Sequence, residues 1–198
     1  MFDQVELDRE FFAALGRVDA EIAGAVRDDG CGRCGGRLHR GDYARKPRGA
    51  LIAAAGEALV VRFSFCCGRE GCRRRTTPPS LRFLGRRVYL EAVVLVASVI
   101  AVIRGAGRGT GREVGVPPRT LGRWLVWWRG AFLKTVEFVT LAAALGLSTT
   151  AARDAMPTAL WAASPWSATA ETVRWLALRL APLTTSAVVR SSVLRAVL

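Results

Sequence analysis

Five cysteines fall in two short, glycine-framed clusters, Cys31-Gly-Arg-Cys34-Gly-Gly and Cys66-Cys67-Gly-Arg-Glu-Gly-Cys72. Type and spacing point to metal ligation. Four thiolates in tetrahedral array are the donor set that structural zinc takes, at a Zn–S distance of about 2.3 Å. Glycines suit such knuckles because some positions need φ > 0 while backbone amides turn toward sulfur. The pairs Cys31/Cys34 and Cys67/Cys72 give C-x2-C followed by C-x4-C, so these four are the expected ligands of one zinc ion. Cys66 is the alternative third ligand. Adjacent side chains on a strand point to opposite faces, so only one of the two reaches the metal. Cys67 is favoured because it is in phase with Val61, Phe63 and Phe65. His39 is read as an exposed histidine in a basic loop. Four thiolates leave no open coordination position, which marks the zinc as structural rather than catalytic.

The second chemistry is that of arginine. Residues 1–30 carry 3 basic and 8 acidic residues, a net of −5, whereas residues 31–134 carry 21 basic and 5 acidic, a net of +16. Residues 135–198 add 5 basic and 3 acidic, a net of +2. Only Lys46 and Lys134 are lysines. A positive field concentrated in one segment draws a polyanion through phosphate neutralisation and counterion release. Arg73, Arg74, Arg75, Arg86 and Arg87 are the candidates there for contact with DNA.

The elements that must position these groups form four segments. Residues 1–30 hold an amphipathic helix over 8–27, with Phe11, Leu15, Val18, Ile22 and Val26 as its apolar stripe and Glu10, Asp19 and Glu21 off it. Asp28-Asp29-Gly30 ends it. Residues 31–80 are the expected zinc ribbon. Within it VVRFSF, residues 60–65, alternates like a strand and leads into Cys66-Cys67, and the stretches 45–49 and 53–57 read as a loop between the clusters. Residues 81–134 open with a helix over Tyr89–Ile103 that is apolar nearly all round and therefore buried. A glycine-rich stretch follows, then a helix starting near Pro118, since proline suits the first helical turn, and running to about Lys134. Residues 135–198 read as two or three helices, broken at Pro157 and at SPWS, residues 164–167; Thr135–Leu145 either extends the preceding helix or starts a new one, and another spans about 168–180. The fold class is mainly α with a small β zinc ribbon.

Residues 112–129, REVGVPPRTLGRWLVWWR, follow helix-turn-helix grammar. A first helix ends near Val114, Gly115 makes the turn, and Thr120–Arg129 is the recognition helix. Leu121, Trp124 or Leu125, and Trp128 take core spacing, which leaves Arg119, Thr120 and Arg123 facing outward. The order CGRCG, CRRRTTPP, GRRVYL, an apolar helix and RTLGRW resembles the N-terminal zinc ribbon and helix-turn-helix of insertion-sequence transposases, over about residues 31–130. That resemblance implies zinc ligation by Cys31, Cys34, Cys67 and Cys72, and DNA contacts by Arg119, Thr120 and Arg123. It does not reach a catalytic half. Transposases of this type gather three carboxylates around two metals, whereas Glu137, Asp154 and Glu171 lie in helical, alanine-rich sequence.

The acidic N-terminus lacks the basic region of a secretory signal. The longest apolar run, Ala92–Ile103, is twelve residues against the roughly 20 that a membrane-spanning helix needs. The expectation is a cytoplasmic, nucleoid-associated DNA-binding protein without enzymatic activity, an accessory or regulatory factor of a mobile element, self-associated or partnered with a transposase. A degenerate transposase and a zinc-ribbon adaptor docking proteins on helices 8–27 and 168–180 are the alternatives.

Overall fold

The computed structural model describes residues 7–45, 48, 61–84 and 89–184. The chain opens with helix α1 (Arg9–Asp29) and continues into five short strands: β1 (Leu38–Arg40), β2 (Tyr43–Ala44), β3 (Val61–Arg62), β4 (Phe65–Cys67) and β5 (Arg75–Thr76). Helices follow: α2 (Glu91–Arg104), α3 (Arg108–Glu113), α4 (Pro118–Arg129), α5 (Val136–Leu145), α6 (Thr149–Ala152), α7 (Thr158–Ala162) and α8 (Thr169–Leu180). Short 3-10 turns occupy Phe132–Lys134 and Ala181–Thr184. The protein is thus mostly helical with a small antiparallel sheet.

Asp8 caps α1 by accepting a hydrogen bond from the Phe11 amide at 2.8 Å, which satisfies one of the orphan donors of the first turn. Gly30 stops the helix at φ 78°, a conformation that disfavours any side chain. The buried positions of α1 are Phe12, Leu15, Asp19, Ile22, Ala23 and Val26. The buried stripe keeps Leu15, Ile22 and Val26 and is turned from the one periodicity suggests by only a fraction of the roughly 100° between successive residues. Phe11 and Val18 sit at its edge, and Asp19, expected outside the stripe, is completely buried.

Strands β1, β4 and β5 form one sheet, with Leu38 opposite Cys67, His39 opposite Cys66, and Cys66 opposite Arg75. His39 is accordingly on a strand, not in a loop. Strands β2 and β3 continue the same chain directions as a separate two-stranded ladder. Between the ladders, the Gly41 amide donates to the Ser64 carbonyl at 2.8 Å and the Ser64 amide to the Asp42 carboxylate at 2.9 Å. A side chain thus takes the place of a ladder carbonyl, and the expected strand breaks in two. Arg62 and Ser64 face inward, and so does Phe65, so the alternation slips by one at that junction. Val60 and most of the expected inter-cluster loop lie outside the described residues.

At the centre of the helical part, α2 lies against α3, α4, α7 and α8 and is buried at every residue from Glu91 to Ala101. Ser98, the polar interruption of its apolar run, accepts a hydrogen bond from the indole N–H of Trp128 at 3.0 Å. Such a buried indole needs a partner, and the serine supplies one. Trp127, Trp128, Phe132 and Phe138 form a continuous aromatic cluster with ring centroids 4.7–5.2 Å apart. Helix α4 ends at Arg129 rather than near Lys134, because Gly130 leaves helical geometry at φ −129°, ψ −88°. A new helix, α5, then starts, capped by the Thr135 hydroxyl, which accepts from the Phe138 amide.

One hydrophobic core runs from Leu7 to Ala181 and includes Leu38, Phe65 and Cys67 of the sheet. Polar groups fasten it across long sequence separations. Asp19 accepts from the Leu81 amide at 2.6 Å and from Arg82 Nε at 2.7 Å, and it also accepts from the Ser80 hydroxyl. The Ser80 amide in turn donates to the Thr184 hydroxyl at 2.7 Å. Arg62, also buried, donates from Nη2 to the carbonyls of Pro78 and Thr184 at 2.6 and 3.2 Å. Burial pulls the Arg62 pKa below its usual value, and Asp19 opposes that shift.

Candidate metal centre

Helix α1 delivers the first of the clustered cysteines directly, since Gly30 ends it one residue before Cys31. The first knuckle then closes on itself. The Cys34 and Gly35 amides donate to the Cys31 carbonyl at 3.2 and 2.7 Å, and the Cys31 amide donates to Gly36 at 2.9 Å. Gly35, at φ 69°, makes that reversal possible. Gly36 is required for a different reason. A Cβ there would stand 3.0 Å from Cys67 Sγ and 3.3 Å from Cys34 Sγ, inside the space the sulfurs occupy.

The second knuckle leaves β4 at Cys67 and returns at Cys72. The Cys72 amide donates to the Arg69 carbonyl at 3.1 Å, and Gly71 supplies φ 78° just before the cysteine. The Arg69 amide points back at Cys67 Sγ at 3.4 Å, the amide-to-sulfur contact that stabilises a thiolate.

The structure brings together Cys31, Cys34, Cys67 and Cys72, whose sulfurs all lie within 4.8 Å of one another. Cys31 and Cys72 are 3.8 Å apart and Cys34 and Cys67 are 3.5 Å apart. A tetrahedron of sulfurs about 2.3 Å from a central ion has edges of about 3.8 Å, so the cluster already has the dimensions of a four-thiolate site. Cys31 and Cys67 are buried, whereas Cys34 and Cys72 are partly exposed. Cys66 stands apart. It sits on the other face of β4, between His39 and Arg75, and its thiol faces the Arg73 carbonyl at 3.5 Å. Neither Cys66 nor His39 joins the cluster.

The electrostatics of the cluster suit a cation. Cys31 is lowered to about 6, first by the Arg33 amide and then, against the opposing effect of burial, by the Cys34 amide and the neighbouring thiols. At Cys67 the Arg69 amide pulls downward, but burial and the thiols of Cys34, Cys72 and Cys31 outweigh it and raise the group to about 12. One sulfur ionises readily and another resists joining it, which is how negative charges in a shared site behave. A central cation relieves that repulsion.

The arginine candidates are placed as follows. Arg73, Arg74 and Arg75 are exposed on the segment that leaves the second knuckle, with Arg73 at φ 43° and the Arg74 carbonyl accepting from the Cys67 amide at 2.9 Å. Arg119 and Arg123 are exposed on the first turns of α4, and Arg123 donates to the half-buried Thr120 hydroxyl at 3.3 Å. The inward side of α4 carries Leu121, Trp124, Leu125 and Trp128, so both tryptophan and leucine serve the core. Arg86 and Arg87 lie outside the described residues. Glu137, Asp154 and Glu171 do not gather, among the described residues, into a group able to hold a metal. No helix among those residues is long and apolar enough to cross a membrane. Sequence reasoning missed Arg69, whose only visible signal is its place in the x4 spacer, and Gly36, whose signal is the paired glycine after Cys34.

Compared with protein-family models, curated proteins and solved structures, the chain matches none of them.

Proposed function

We propose that this chain is a zinc-stabilised DNA-binding protein that serves a mobile genetic element as an accessory or regulatory factor. Zinc is the ion that four thiolates in a closed tetrahedral array favour, and a closed array gives it a structural task. Cys31, Cys34, Cys67 and Cys72 would hold it, cross-linking the end of α1 to the sheet.

The observation that carries DNA binding is the state of the arginines. Among the described residues none of Arg73, Arg74, Arg75, Arg119 and Arg123 forms an ion pair, although all five are exposed. Exposed guanidiniums left without carboxylates fit a polyanionic partner better than a solvated surface at net +16 over residues 31–134. Helices α3 and α4, joined through Gly115 at φ 64°, support a helix-turn-helix reading, with Arg119, Thr120 and Arg123 near the end of α4 that enters a major groove in such units. The link to mobile elements rests on the resemblance of motif order alone. The adaptor reading loses its docking surfaces, since the apolar faces of α1 and α8 are covered by the chain's own core.

The test is fluorescence anisotropy of a labelled duplex titrated with the wild-type chain and with Arg119→Ala/Arg123→Ala, across a range of salt. If both arginines touch phosphate, the double variant binds more weakly and its log–log salt slope falls by about 2. If they read bases instead, affinity drops with the slope kept. Unchanged affinity removes α4 from the interface.

A further inference from the structure

The side chain that reaches from one knuckle to the backbone of the other belongs to neither a cysteine nor a glycine. Arg69 makes four hydrogen bonds around the cluster, through its amide, its carbonyl and its guanidinium. Its amide donates to Cys67 Sγ at 3.4 Å. Its carbonyl accepts from the Cys72 amide at 3.1 Å and from the Arg73 amide at 3.4 Å, which sets the turn that brings the fourth ligand back. Its guanidinium crosses to the other knuckle and donates from Nη1 to the Cys34 carbonyl at 3.2 Å. Its Cβ also marks the approach limit of the first knuckle, since a Cβ at Gly36 would lie 3.0 Å from it.

From this geometry we infer that Arg69 is the positioning residue of the metal centre, a clasp that closes the second knuckle over the first and slows escape of the bound ion. The inference rests on the metal-binding reading and deepens it. The buried ligands Cys31 and Cys67 are held by the core, so an ion leaves through the half-exposed side, where Cys34 and Cys72 lie. Cys34 is the ligand whose own carbonyl the guanidinium holds. Freeing that carbonyl loosens the solvent-facing half of the first knuckle without touching a ligand. The positive charge also sits beside a centre that four thiolates and a divalent ion leave at net −2, which an arginine offsets better than a neutral side chain. Outer partners of this kind change metal affinity by roughly 10–100-fold.

The experiment uses the whole chain loaded with cobalt(II) as a coloured stand-in for zinc. Sulfur-to-cobalt charge-transfer absorption reports the thiolate ligands, and its decay in excess chelator reports release. Wild type, Arg69→Ala, Arg69→Lys and Arg74→Ala are compared. Arg74→Ala removes another exposed cation near the cluster, and helical circular dichroism verifies that each variant keeps its fold. Arg69→Ala is expected to bind one cobalt with wild-type charge-transfer intensity yet release it about tenfold faster. Arg69→Lys, which keeps the charge but not the planar fork, is expected between the two, and Arg74→Ala at the wild-type rate. Release from Arg69→Ala at the wild-type rate overturns the inference while leaving the metal site standing. Equal acceleration by Arg74→Ala also overturns it, because charge alone then explains the effect. A wild-type chain that takes up no cobalt removes the metal reading and the clasp together.

Discussion

Cys66 and Cys67 are neighbours in sequence and opposites in chemistry. One points out between His39 and Arg75, and the other points in to Cys34 at 3.5 Å. Cys67→Ser is therefore expected to abolish stoichiometric zinc binding, whereas Cys66→Ser leaves one ion per chain, as native mass spectrometry would report. The same outcome for both substitutions contradicts the assignment. Strand alternation was enough to say that only one of the pair turns toward the other cysteines. The phase argument that favoured Cys67 picked the residue that joins the cluster, but across a break it did not include, since Arg62 and Ser64, not Val61 and Phe63, face inward before the slip. Protons compete at the same sulfurs. The cluster lowers Cys31 to about 6 and raises Cys67 to about 12, so across the neutral range metal uptake as thiolates must expel at least one proton. Zinc affinity is expected to rise with pH across the neutral range, and competition against a chelator with a known pH dependence measures it. An affinity flat from pH 6 to 8, as rough bounds of that window, contradicts the thiolate account.

The elements were legible where periodicity is long and strong, and less so where side chains override it. The apolar helix over 89–103 appears as α2 at Glu91–Arg104, and the helix beginning at Pro118 appears as α4. The face of α1 was misread because Phe11 and Phe12 are both apolar, and because an aspartate on an apolar face looks like a boundary. Nothing local to residue 19 announces partners more than 60 residues away. The glycines of α3 show the same limit. Reckoned from composition they all weaken the helix, yet the surroundings divide them. Gly109 has nothing within 4 Å of an added Cβ, whereas at Gly111 a Cβ would meet the Val116 carbonyl at 2.8 Å and the Pro118 ring at 3.0 Å. Gly109→Ala is expected to stabilise the protein by about 0.5–1 kcal/mol through helix propensity. Gly111→Ala is expected to destabilise it by more than about 1 kcal/mol, by forcing α4 away from α3. Equilibrium denaturation separates the two, and equal effects would deny the close approach. That approach lets the turn through Gly115 set α4 tightly against α3.

At the scale of the whole molecule, the four-cysteine cluster and the Asp19 network are two fastenings of one body. The first joins the end of α1 to the sheet. The second joins the middle of α1 to residues 80–82 and, through Ser80, to Thr184 near the end of α8. Asp19→Ala removes the buried carboxylate that accepts from the Ser80 hydroxyl, the Leu81 amide and Arg82 Nε, and is expected to cost about 3–5 kcal/mol in denaturant unfolding. A loss below about 1 kcal/mol contradicts the account of the core, because three buried donors then lose a shared acceptor. In the proposed function this fastening matters because it holds the cationic segment on a fixed frame. The charge segregation itself was plain in the sequence, but the exposure of Arg73, Arg74, Arg75, Arg119 and Arg123 became visible only with the fold. The central claim is that those arginines bind DNA on a metal-held scaffold. It is tested most directly by the affinity of the zinc-loaded chain for duplex DNA at about 50 and about 200 mM salt, repeated after the zinc is stripped. With five or more phosphates neutralised, the loaded chain is expected to lose about a hundredfold or more in affinity between the two salts, and the stripped chain to bind more weakly at both. An affinity that ignores salt, or that survives loss of the metal unchanged, contradicts it.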